Sequence, residues 1–566
     1  MKKRWTLQSY NSSTAQHLQE VLKINPIFCQ MLAQRGISTY DEAFQFFRPS
    51  LEQLHDPFLM KDMDLAVNRL ARAMQRKEKI LLYGDYDVDG TTSVALMFSF
   101  LKKYHEHLDF YIPDRYTEGY GVSFAGIDYA AQNEMTLIIA MDCGIKANEK
   151  VVYAKEKGID FIICDHHLPE GDLPPAVAVL DPKRDDCKYP YKELSGCGIA
   201  FKLAQAFVEQ NSLDTSQLNE LLDFVVISIA CDIVPMLGEN RTLAFWGMEQ
   251  LNSTRRPGLL SLIDVSQRKF PLNVNDIVFG LGPMINAAGR LADARKAVHL
   301  LLSKDETEAK ENANLLHQRN KMRKEIDLQI VQEAQFILEK KQEEGTLENQ
   351  KSIVLFQSHW HKGIVGIAAA RIVESHHRPT IILAESNGFA VGSARSVKGF
   401  NIHAAIKKCS DLLVNFGGHA HAAGLTLKIQ DVDLFREKFE LAVRETIEEE
   451  ALIPEINIAA PLSLKNITPQ FWRILLQFAP FGPQNRNPVF ATKNVVDAGS
   501  SRLLKGNHLK LSVKENGKLQ FNAIAFGMGD FFTEIKKQPF HICYTINENN
   551  WNGKTDLQLN VKDIKI

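Results

Sequence analysis

The sequence predicts an α/β protein: two α/β domains joined by a long helix and followed by a small C-terminal β-barrel. Short apolar runs that alternate with helical segments between residues 60 and 235 indicate the first domain. Residues 304–344 contain neither glycine nor proline and are rich in Glu, Lys, Gln and Leu, which indicates the helix. Short β-rich runs separated by turns after residue 455 indicate the barrel.

These patterns divide the chain into five regions. We expect an N-terminal extension (1–55), the first α/β domain (56–300), the connecting helix (301–346), the second α/β domain (347–452) and the barrel (453–566). The helical pattern of the extension is broken at Pro26 and Pro49, and we expect this extension to pack on the first α/β domain.

The composition indicates a globular protein without a membrane segment. Of the 566 residues 45% are hydrophobic, and no apolar run approaches the roughly 20 residues of a membrane span. The basic start of the chain is not followed by the apolar stretch of a secretory signal, so we expect a cytoplasmic location. The eight cysteines are scattered without a Cys-x-x-Cys pair, which favours reduced thiols. The net charge is -2, so any site for a polyanion must be local.

Three carboxylates follow the first strand of the predicted sheet. The apolar run Ile80–Tyr83 ends at a glycine, and Asp85, Asp87 and Asp89 then stand at every second position before a helix. Ligands bind at such strand-to-helix turns in open α/β sheets. Carboxylates this close repel one another unless a cation lies among them. A solvated acidic turn or an Asp-rich Ca²⁺ loop remains an alternative on this stretch alone.

Later apolar runs end in the same way. The candidate strands lie at 79–83, 108–112, 136–141, 160–164 and 176–180. One ends at Asp142, one ends at Asp165 followed by His166 and His167, and a further apolar run over 224–231 ends at Asp232. A single Asp after a strand is often only a helix cap. Four such groups at one predicted sheet edge indicate two divalent cations, and the imidazole favours Mn²⁺ over Mg²⁺.

These motifs resemble the DHH phosphoesterase superfamily, and the whole chain is similar to its single-strand-specific exonucleases. The matching motifs are Asp85-Tyr-Asp-Val-Asp-Gly90, Asp142-Cys-Gly144, Asp165-His-His167 and Cys231-Asp-Ile-Val-Pro235. The resemblance implies a DHH domain, a DHHA1 domain and an OB-fold. It implies two Mn²⁺ or Mg²⁺ ions held by Asp87, Asp89, Asp142, His166 and Asp232, with Asp142 bridging. It places His167 at the scissile phosphate, with Asp85 and Asp165 as supporting acids of the catalytic set.

Two positions depart from the family pattern. Tyr83 stands where many members carry His, so we expect the first metal site to be weaker or to be completed by water. Met284 stands where the exonucleases usually carry Arg, so one positive contact is missing.

Several segments are typical of phosphate contacts. Arg115 lies in a loop with two glycines after a strand, although an incidental surface Arg is the alternative. A Gly-rich turn leads into a helix at 360–371, and Gly392–Ser396 reads as a polar turn that offers Arg395. The resemblance implies that Arg290 faces the active site and that Ser393 and Arg395 hold the 5′ end of a strand.

Two histidines lie in the glycine-rich stretch Gly417–Gly424. His419 and His421 could form a metal pair, but no third ligand is nearby, so we favour binding of a phosphate or nucleotide. The resemblance agrees, because the DHHA1 domain carries such a motif beside its substrate.

The C-terminal region is locally basic. Residues 455–566 contain fourteen Lys and Arg against eight Asp and Glu. Phe521, Phe526, Tyr544 and Trp551 are interleaved with this charge, a pattern that favours single-strand binding by charge and stacking. Ordinary core aromatics are the alternative. The join at 479–488 resembles the loop that precedes the OB-fold of the exonucleases.

The sequence and the resemblance together predict a metal-dependent exonuclease. We expect it to degrade single-stranded DNA from the 5′ end to mononucleotides during DNA repair and recombination, as a monomer beside a helicase and a single-strand binding protein. One alternative is a phosphodiesterase of short oligoribonucleotides or cyclic dinucleotides. Another is a non-catalytic DNA-binding scaffold.

Overall fold

A computed structural model describes residues 3–291, 293–515, 517, 519–551 and 554–566, excluding the side chains of 550, 551 and 554. The chain forms two compact units. One contains Trp5–Gly282 with Glu455–Ile566, and the other contains Pro283–Pro454 with the start of the chain through Arg4. The N-terminal extension and the barrel therefore belong to the same unit as the first α/β domain.

The extension begins the chain with one strand and three helices. They are β1 (Arg4–Leu7), α1 (Ser12–Leu22), α2 (Pro26–Ala33) and α3 (Tyr40–Phe47). Side-chain caps set the helix starts, because Asn11, Asn25 and Thr39 each accept a backbone N–H from the first turn.

The first α/β domain has a five-stranded parallel sheet with the order β3-β2-β4-β5-β6. Its elements are α4 (Met63–Gln75), β2 (Lys79–Gly84), α5 (Val88–Leu101), β3 (Leu108–Tyr111), α6 (Phe124–Gln132), β4 (Met135–Met141), α7 (Asn148–Glu156), β5 (Asp160–Cys164) and β6 (Ala178–Leu180). The central strands are almost wholly buried, which explains their continuous apolar runs. The α/β prediction is confirmed here.

A group of helices follows the sheet. They are α8 (Gly196–Gln210), α9 (Leu222–Cys231), α10 (Gly238–Asn252), α11 (Pro257–Val265) and the short α12 (Val274–Asp276), followed by a π-helical turn at Ile277–Leu281. The prediction that Asp232 ends a strand of the sheet is wrong, because the apolar run before it forms α9. This helix packs against α5 and α8, so all its faces are covered and its periodicity is hidden.

The second unit contains long helices and the second α/β domain. Its elements are α13 (Gly282–Leu291), α14 (Arg295–Leu302), α15 (Glu306–Glu343), β7 (Ile353–Gln357), α16 (Val365–His376), β8 (Thr380–Ser386), β9 (Phe389–Arg395), α17 (Ile402–Lys407), β10 (Leu413–His419), β11 (Ala422–Lys428) and α18 (Val432–Thr446). The predicted connecting helix is therefore largely one 38-residue helix, α15. The five strands follow the order β10-β11-β9-β8-β7.

One local prediction in this domain is wrong. The composition of Gly392–Ser396 predicts a polar turn, but Gly392–Arg395 forms the end of β9. This strand pairs on one side with β8 and on the other with β11, so its small polar residues are enclosed by neighbouring backbone. The His419 and His421 segment is the exposed connection between β10 and β11.

The C-terminal region is a β-barrel, as predicted. Its elements are β12 (Glu455–Ile458), β13 (Ala460–Pro461), α19 (Pro469–Leu476), β14 (Phe490–Asp497), β15 (Arg502–Leu504), β16 (His508–Lys514), β17 (Gln520–Ala525), β18 (Phe540–Trp551) and β19 (Lys554–Lys565). The order β13-β14-β18-β19-β17-β16-β15 is closed by pairing of β14 with β16.

The N-terminal extension shares its core with this barrel rather than packing mainly on the first domain. Phe28 stacks on Phe471 with ring centroids 4.5 Å apart. The buried Arg241 of α10 donates to the carbonyls of Phe46 and Phe478 at 3.1 and 2.9 Å. This one guanidinium therefore links the first α/β domain to both the extension and the barrel region.

The aromatic residues proposed for strand binding separate into different environments. Tyr544 is fully buried and hydrogen-bonds Thr492 at 2.8 Å, so it is a core residue and not a stacking surface. Phe521 is half-buried, and Phe526 is exposed. The Trp551 side chain lies outside the described residues. None of the described helices is both long and apolar enough to cross a membrane.

Candidate active site

The acidic turn after β2 is the first part of the candidate site. Asp87 caps α5, since its Oδ1 accepts the N–H groups of Asp89 and Gly90 at 2.8 and 3.1 Å. The helix therefore begins earlier than the sequence indicated, and Asp89 lies in its first turn. A Cβ on Gly90 would approach the Asp85 nitrogen to 2.5 Å, so only glycine allows this tight turn.

A clamp of backbone donors fixes Asp89. Its Oδ2 accepts the N–H of Gly196 at 2.7 Å, and its Oδ1 accepts the N–H of Cys197 at 2.8 Å. The hydroxyl of Ser228 adds a third hydrogen bond at 2.7 Å. The start of α8 and the side of α9 thus hold this carboxylate in one orientation.

Asp142, His166 and Asp232 converge on the same place. His166 Nε2 lies 3.2 Å from Asp142 Oδ1, 3.6 Å from Asp232 Oδ2 and 3.7 Å from Asp89 Oδ2. Ligand atoms of Asp89, His166 and Asp232 lie within 4.8 Å of one another, as do those of Asp85, Asp87 and Asp142. The five predicted metal ligands are therefore together, and Asp142 touches both groups as a bridging ligand would.

The electrostatics of this cluster call for a cation. Burial and the neighbouring Asp89 and Asp87 carboxylates raise the pKa of Asp142 well above its ordinary value. The same causes raise the pKa of Asp232 to about 9. Burial lowers the pKa of His166, which favours the neutral ring that binds metals.

Unsatisfied polar atoms also fit a metal centre. Both ring nitrogens of His166 and Oδ1 of Asp85 are buried without a hydrogen-bond partner among the described residues. Buried polar atoms in native proteins normally have a partner. The donor set is rich in carboxylate oxygen with one imidazole, which suits Mn²⁺ or Mg²⁺.

His167 and Asp165 form a second functional pair beside the cluster. His167 Nδ1 lies 2.7 Å from Asp165 Oδ1, and its side chain is 39% exposed. Although burial would lower it, the hydrogen bond to Asp165 raises the pKa of His167. Burial alone would raise the pKa of Asp165, but the same bond and the charge of His167 lower it to about 2. The ionised Asp165 carboxylate thus orients the His167 imidazole and favours its protonated form.

Tyr83 and Met284, the two departures from the family pattern, are both buried. The Tyr83 hydroxyl donates to the carbonyl of Gly121 at 3.0 Å and accepts the N–H of Ser123 at 3.1 Å. Its ring stacks on Tyr111 inside a buried cluster. Tyr83 therefore anchors the loop before α6. Met284 is buried on α13.

The loop held by Tyr83 carries Arg115. The guanidinium of Arg115 lies 4.9 Å from the centre of the Tyr86 ring. Tyr120, from the same loop, donates its hydroxyl to the Asp142 carbonyl at 3.2 Å and lies 3.3 Å from His167 Nδ1. Arg115 is thus at the acidic turn, where a phosphate chain could reach it.

In the unit that contains the second α/β domain, three predicted phosphate contacts gather around one loop. Arg290 donates to the Gly363 carbonyl at 3.2 Å, and Arg395 donates to Ser393 Oγ at 2.7 Å. A Cβ on Gly366 would approach Ser393 Oγ to 3.0 Å and Arg395 Nη2 to 3.1 Å. Gly366, in the first turn of α16, therefore lets Ser393 and Arg395 approach the helix backbone closely.

The remaining two predicted contacts lie next to that group. His419 and His421 are exposed, and the carbonyl of His421 accepts the N–H of Ser396 at 3.0 Å. The hairpin that carries them is therefore hydrogen-bonded directly beside Arg395.

Sequence reasoning missed the residues that support the ligands. Gly196, Cys197 and Ser228 hold Asp89 from more than 100 positions away, and Tyr120 spans Asp142 and His167. The glycine-rich start of α8 was the available signal for the clamp, since glycine at a helix start allows close approach to an anion.

Comparisons with known proteins show which family the chain is similar to. Family models match the DHH family N-terminal domain at residues 79–229, the DHHA1 domain at 349–445 and the RecJ OB domain at 458–563. The chain is 36% identical to the single-stranded-DNA-specific exonuclease RecJ of Bacillus subtilis over 100% of this chain and 71% of that protein. It is 32% identical to RecJ of Escherichia coli, over 96% of each.

A solved structure is also similar to the chain over its full length. RecJ from Thermus thermophilus in complex with Mn²⁺ matches with a TM-score of 0.85 and 25% identity, over 100% of this chain and 79% of that one. The agreement covers all three matched domains.

Proposed function

The chain belongs to the RecJ family of single-stranded-DNA-specific exonucleases, and from this premise we propose that it hydrolyses single-stranded DNA from the 5′ end to mononucleotides with two Mn²⁺ or Mg²⁺ ions. The observation that carries the proposal is the convergence of Asp142, His166 and Asp232 with the clamped Asp89. A nuclease of this kind serves DNA repair and recombination.

The ligand residues fall into two sets. Asp87 would hold one ion, Asp89, His166 and Asp232 would hold the other, Asp142 would serve both, and Asp85 would support the first set as a neighbouring acid. When bound, such ions lower the pKa of water and neutralise charge on the phosphate. Asp142 stands between the sets, so it fixes their spacing.

His167 would be the hydrogen-bond donor to the scissile phosphate. Asp165 accepts a hydrogen bond from Nδ1, which leaves the Nε2–H directed away from the acid. A protonated His167 can donate this N–H to a non-bridging oxygen of the scissile phosphate and stabilise the charge that builds there. Tyr120 limits the movement of the ring.

The 5′-to-3′ direction of digestion would follow from recognition of the 5′ end of the strand. Arg290, Ser393, Arg395 and the first turn of α16 would bind the terminal phosphate, and His419 and His421 would contact the same nucleotide. Arg115 would hold a phosphate near the metal centre. The basic barrel would bind the strand downstream, with Phe526 as its exposed aromatic.

The substrate implies the partners. A helicase would supply the single strand and a single-strand binding protein would deliver it, while the enzyme acts as a monomer in the cytoplasm. The DNA strand itself is the partner that the site chemistry supports directly.

The proposal is tested with Asp142→Asn on a 5′-labelled single strand. Asn keeps the shape and tolerates the left-handed backbone of Asp142, whose φ is 60°, so folding should be preserved. Activity should fall on the order of a thousandfold. Asp64→Asn, on the exposed side of α4, is the matched control and should leave activity unchanged.

Two outcomes would reject the proposal. One is full nuclease activity in a folded Asp142→Asn variant. The other is faster turnover of dinucleotides than of a long single strand, which would instead indicate a phosphodiesterase of short oligonucleotides. Labels at the 5′ and 3′ ends of the same strand report the polarity in one digestion.

A further inference from the structure

The residue after Asp232 has an unusual backbone for its type. Helix α9 ends at Cys231, Asp232 is its C-cap, and Ile233 then adopts φ 63°. Helices usually place glycine at this position, because a β-branched side chain is strained there. Thirteen non-glycine residues in the described part of the chain have positive φ, and all except Ile233 are polar or charged.

Folding gains nothing from this side chain. Ile233 is 71% exposed, so its apolar surface is not part of a core. Its neighbours on the C-terminal side, Val234 and Met236, are buried. The chain therefore tolerates backbone strain at a position where the isoleucine side chain is exposed to solvent.

The turn that presents it is rigid. The Pro235 carbonyl accepts hydrogen bonds from Asn240 Nδ2 at 3.1 Å and from the Tyr191 hydroxyl at 3.3 Å. The Met236 N–H donates to the Pro483 carbonyl at 2.8 Å. On the other side, the Asp232 N–H donates to the Ser228 carbonyl at 2.9 Å. Ile233 is thus exposed on a fixed turn and directly follows a candidate metal ligand in the chain.

We propose that Ile233 is a substrate-contacting residue that packs against the sugar and base of the nucleotide whose phosphate lies at the acidic cluster. This inference rests on the proposed function. Phosphate groups are bound by charge, but a nucleoside offers apolar faces that an aliphatic side chain can cover. Such contact tolerates any base, as a nuclease without sequence preference requires.

The test compares Ile233→Gly and Ile233→Asn with the wild type on a 5′-phosphorylated single strand. Both replacements suit the left-handed backbone, so the fold should be kept and the melting temperature of Ile233→Gly should rise. The KM should increase on the order of tenfold, because the apolar contact is lost. Ile233→Val, which keeps a branched apolar side chain, should have nearly the wild-type KM.

Lys77→Gly is the matched control. Lys77 follows the C-cap of α4, has φ 53° and is exposed before β2, at the opposite end of that strand from Asp85. Its replacement should raise the melting temperature in the same way without changing the KM. Mn²⁺ affinity, measured by calorimetry, should be unchanged in all variants.

Two results would overturn the inference. In one, Ile233→Gly has the wild-type KM, like Lys77→Gly. In the other, KM and Mn²⁺ affinity worsen together, which would mean that the turn serves Asp232 and not the substrate. A wild type that fails to degrade the strand would instead reject the proposed function.

Discussion

The turn between β2 and α5 and the turn between β7 and α16 share a backbone plan but have opposite chemistry. Each connects a parallel strand to a helix. In the first, Asp87 caps α5 with a carboxylate oxygen. In the second, no side chain of the described residues caps α16, and Ser393 and Arg395 lie against its first turn instead.

This difference shows that local charge, and not the fold, selects the ligand at a strand-to-helix turn. At the start of α5, a carboxylate accepts the free N–H groups of the helix. The carboxylates of this cluster also repel one another, so the cluster favours binding of cations. Around α16, the helix dipole and an arginine both favour an anion. One domain is therefore suited to metals and the other to phosphate.

Gly196 allows the acidic cluster to be disturbed without replacing any of its ligands. A Cβ there would lie 2.7 Å from Asp142 Cβ and 3.0 Å from its Cα, where the backbone is fixed by a hydrogen bond to the Cys164 carbonyl. Gly196→Ala should displace Asp142 and lower nuclease activity by about a hundredfold. Activity on a labelled strand and Mn²⁺ affinity are the measurements.

Gly198→Ala, two residues along the same helix, controls for the loss of glycine. Its Cβ would meet Ser195 Oγ at 3.4 Å and Leu194 side-chain atoms at 3.5 Å, which are tolerable contacts. This variant should be active and slightly more stable, since alanine favours a helix interior. Equal activity in the two variants would show that the close packing on Asp142 is unimportant.

The acidic cluster should also differ from the basic group in the pH dependence of its ligand binding. With a pKa raised to about 9, Asp232 holds a proton at neutral pH in the metal-free protein, and a metal must displace it. The apparent Mn²⁺ affinity should rise about tenfold per pH unit between roughly pH 6 and 8 for each displaced proton. Calorimetry in buffers of different ionisation enthalpy measures the proton release.

The stability of the metal-free protein should move in the opposite direction. Since the folded-state pKa of Asp232 is raised, the folded chain binds more protons than the unfolded chain between about pH 4 and 9, and stability falls as pH rises through that window. Asp232→Asn should flatten both profiles. Proton release that is the same in this variant as in the wild type would contradict the assignment.

The sequence was most informative where signals are local. Short buried strands and the acids that follow them predicted the sheet and placed Asp142 and Asp165 at one edge, as the structure has them. The sequence does not decide the structure of the run before Asp232, because eight mostly apolar residues fit a buried helix or a strand equally well. Asp232 reaches the cluster only because α9 packs on α5 and α8.

Other features depend on residues far apart in the chain. The strand character of Gly392–Arg395 comes from its two neighbours, β8 and β11, and its composition alone resembles a turn. The donors that clamp Asp89 lie 107 and 108 residues away. Tyr83 was compared with a metal-binding histidine, yet its side chain is in the hydrophobic layer, because alternate residues of a strand face opposite sides.

The smallest expected effect is on recognition of the 5′-phosphate by the basic group beside α16. Arg395→Lys keeps the charge beside Ser393 and α16 but loses the planar fork that matches a phosphate. The preference for a 5′-phosphorylated over a 5′-hydroxyl strand should fall about tenfold, with Mn²⁺ affinity unchanged. The measurement is the ratio of kcat/KM values for the two strands. Arg371→Lys on the same helix, which pairs with Asp327 at 2.9 Å, should keep the wild-type ratio. If Arg395→Lys lowered kcat/KM equally for both strands, the basic group beside α16 would not recognise the 5′-phosphate.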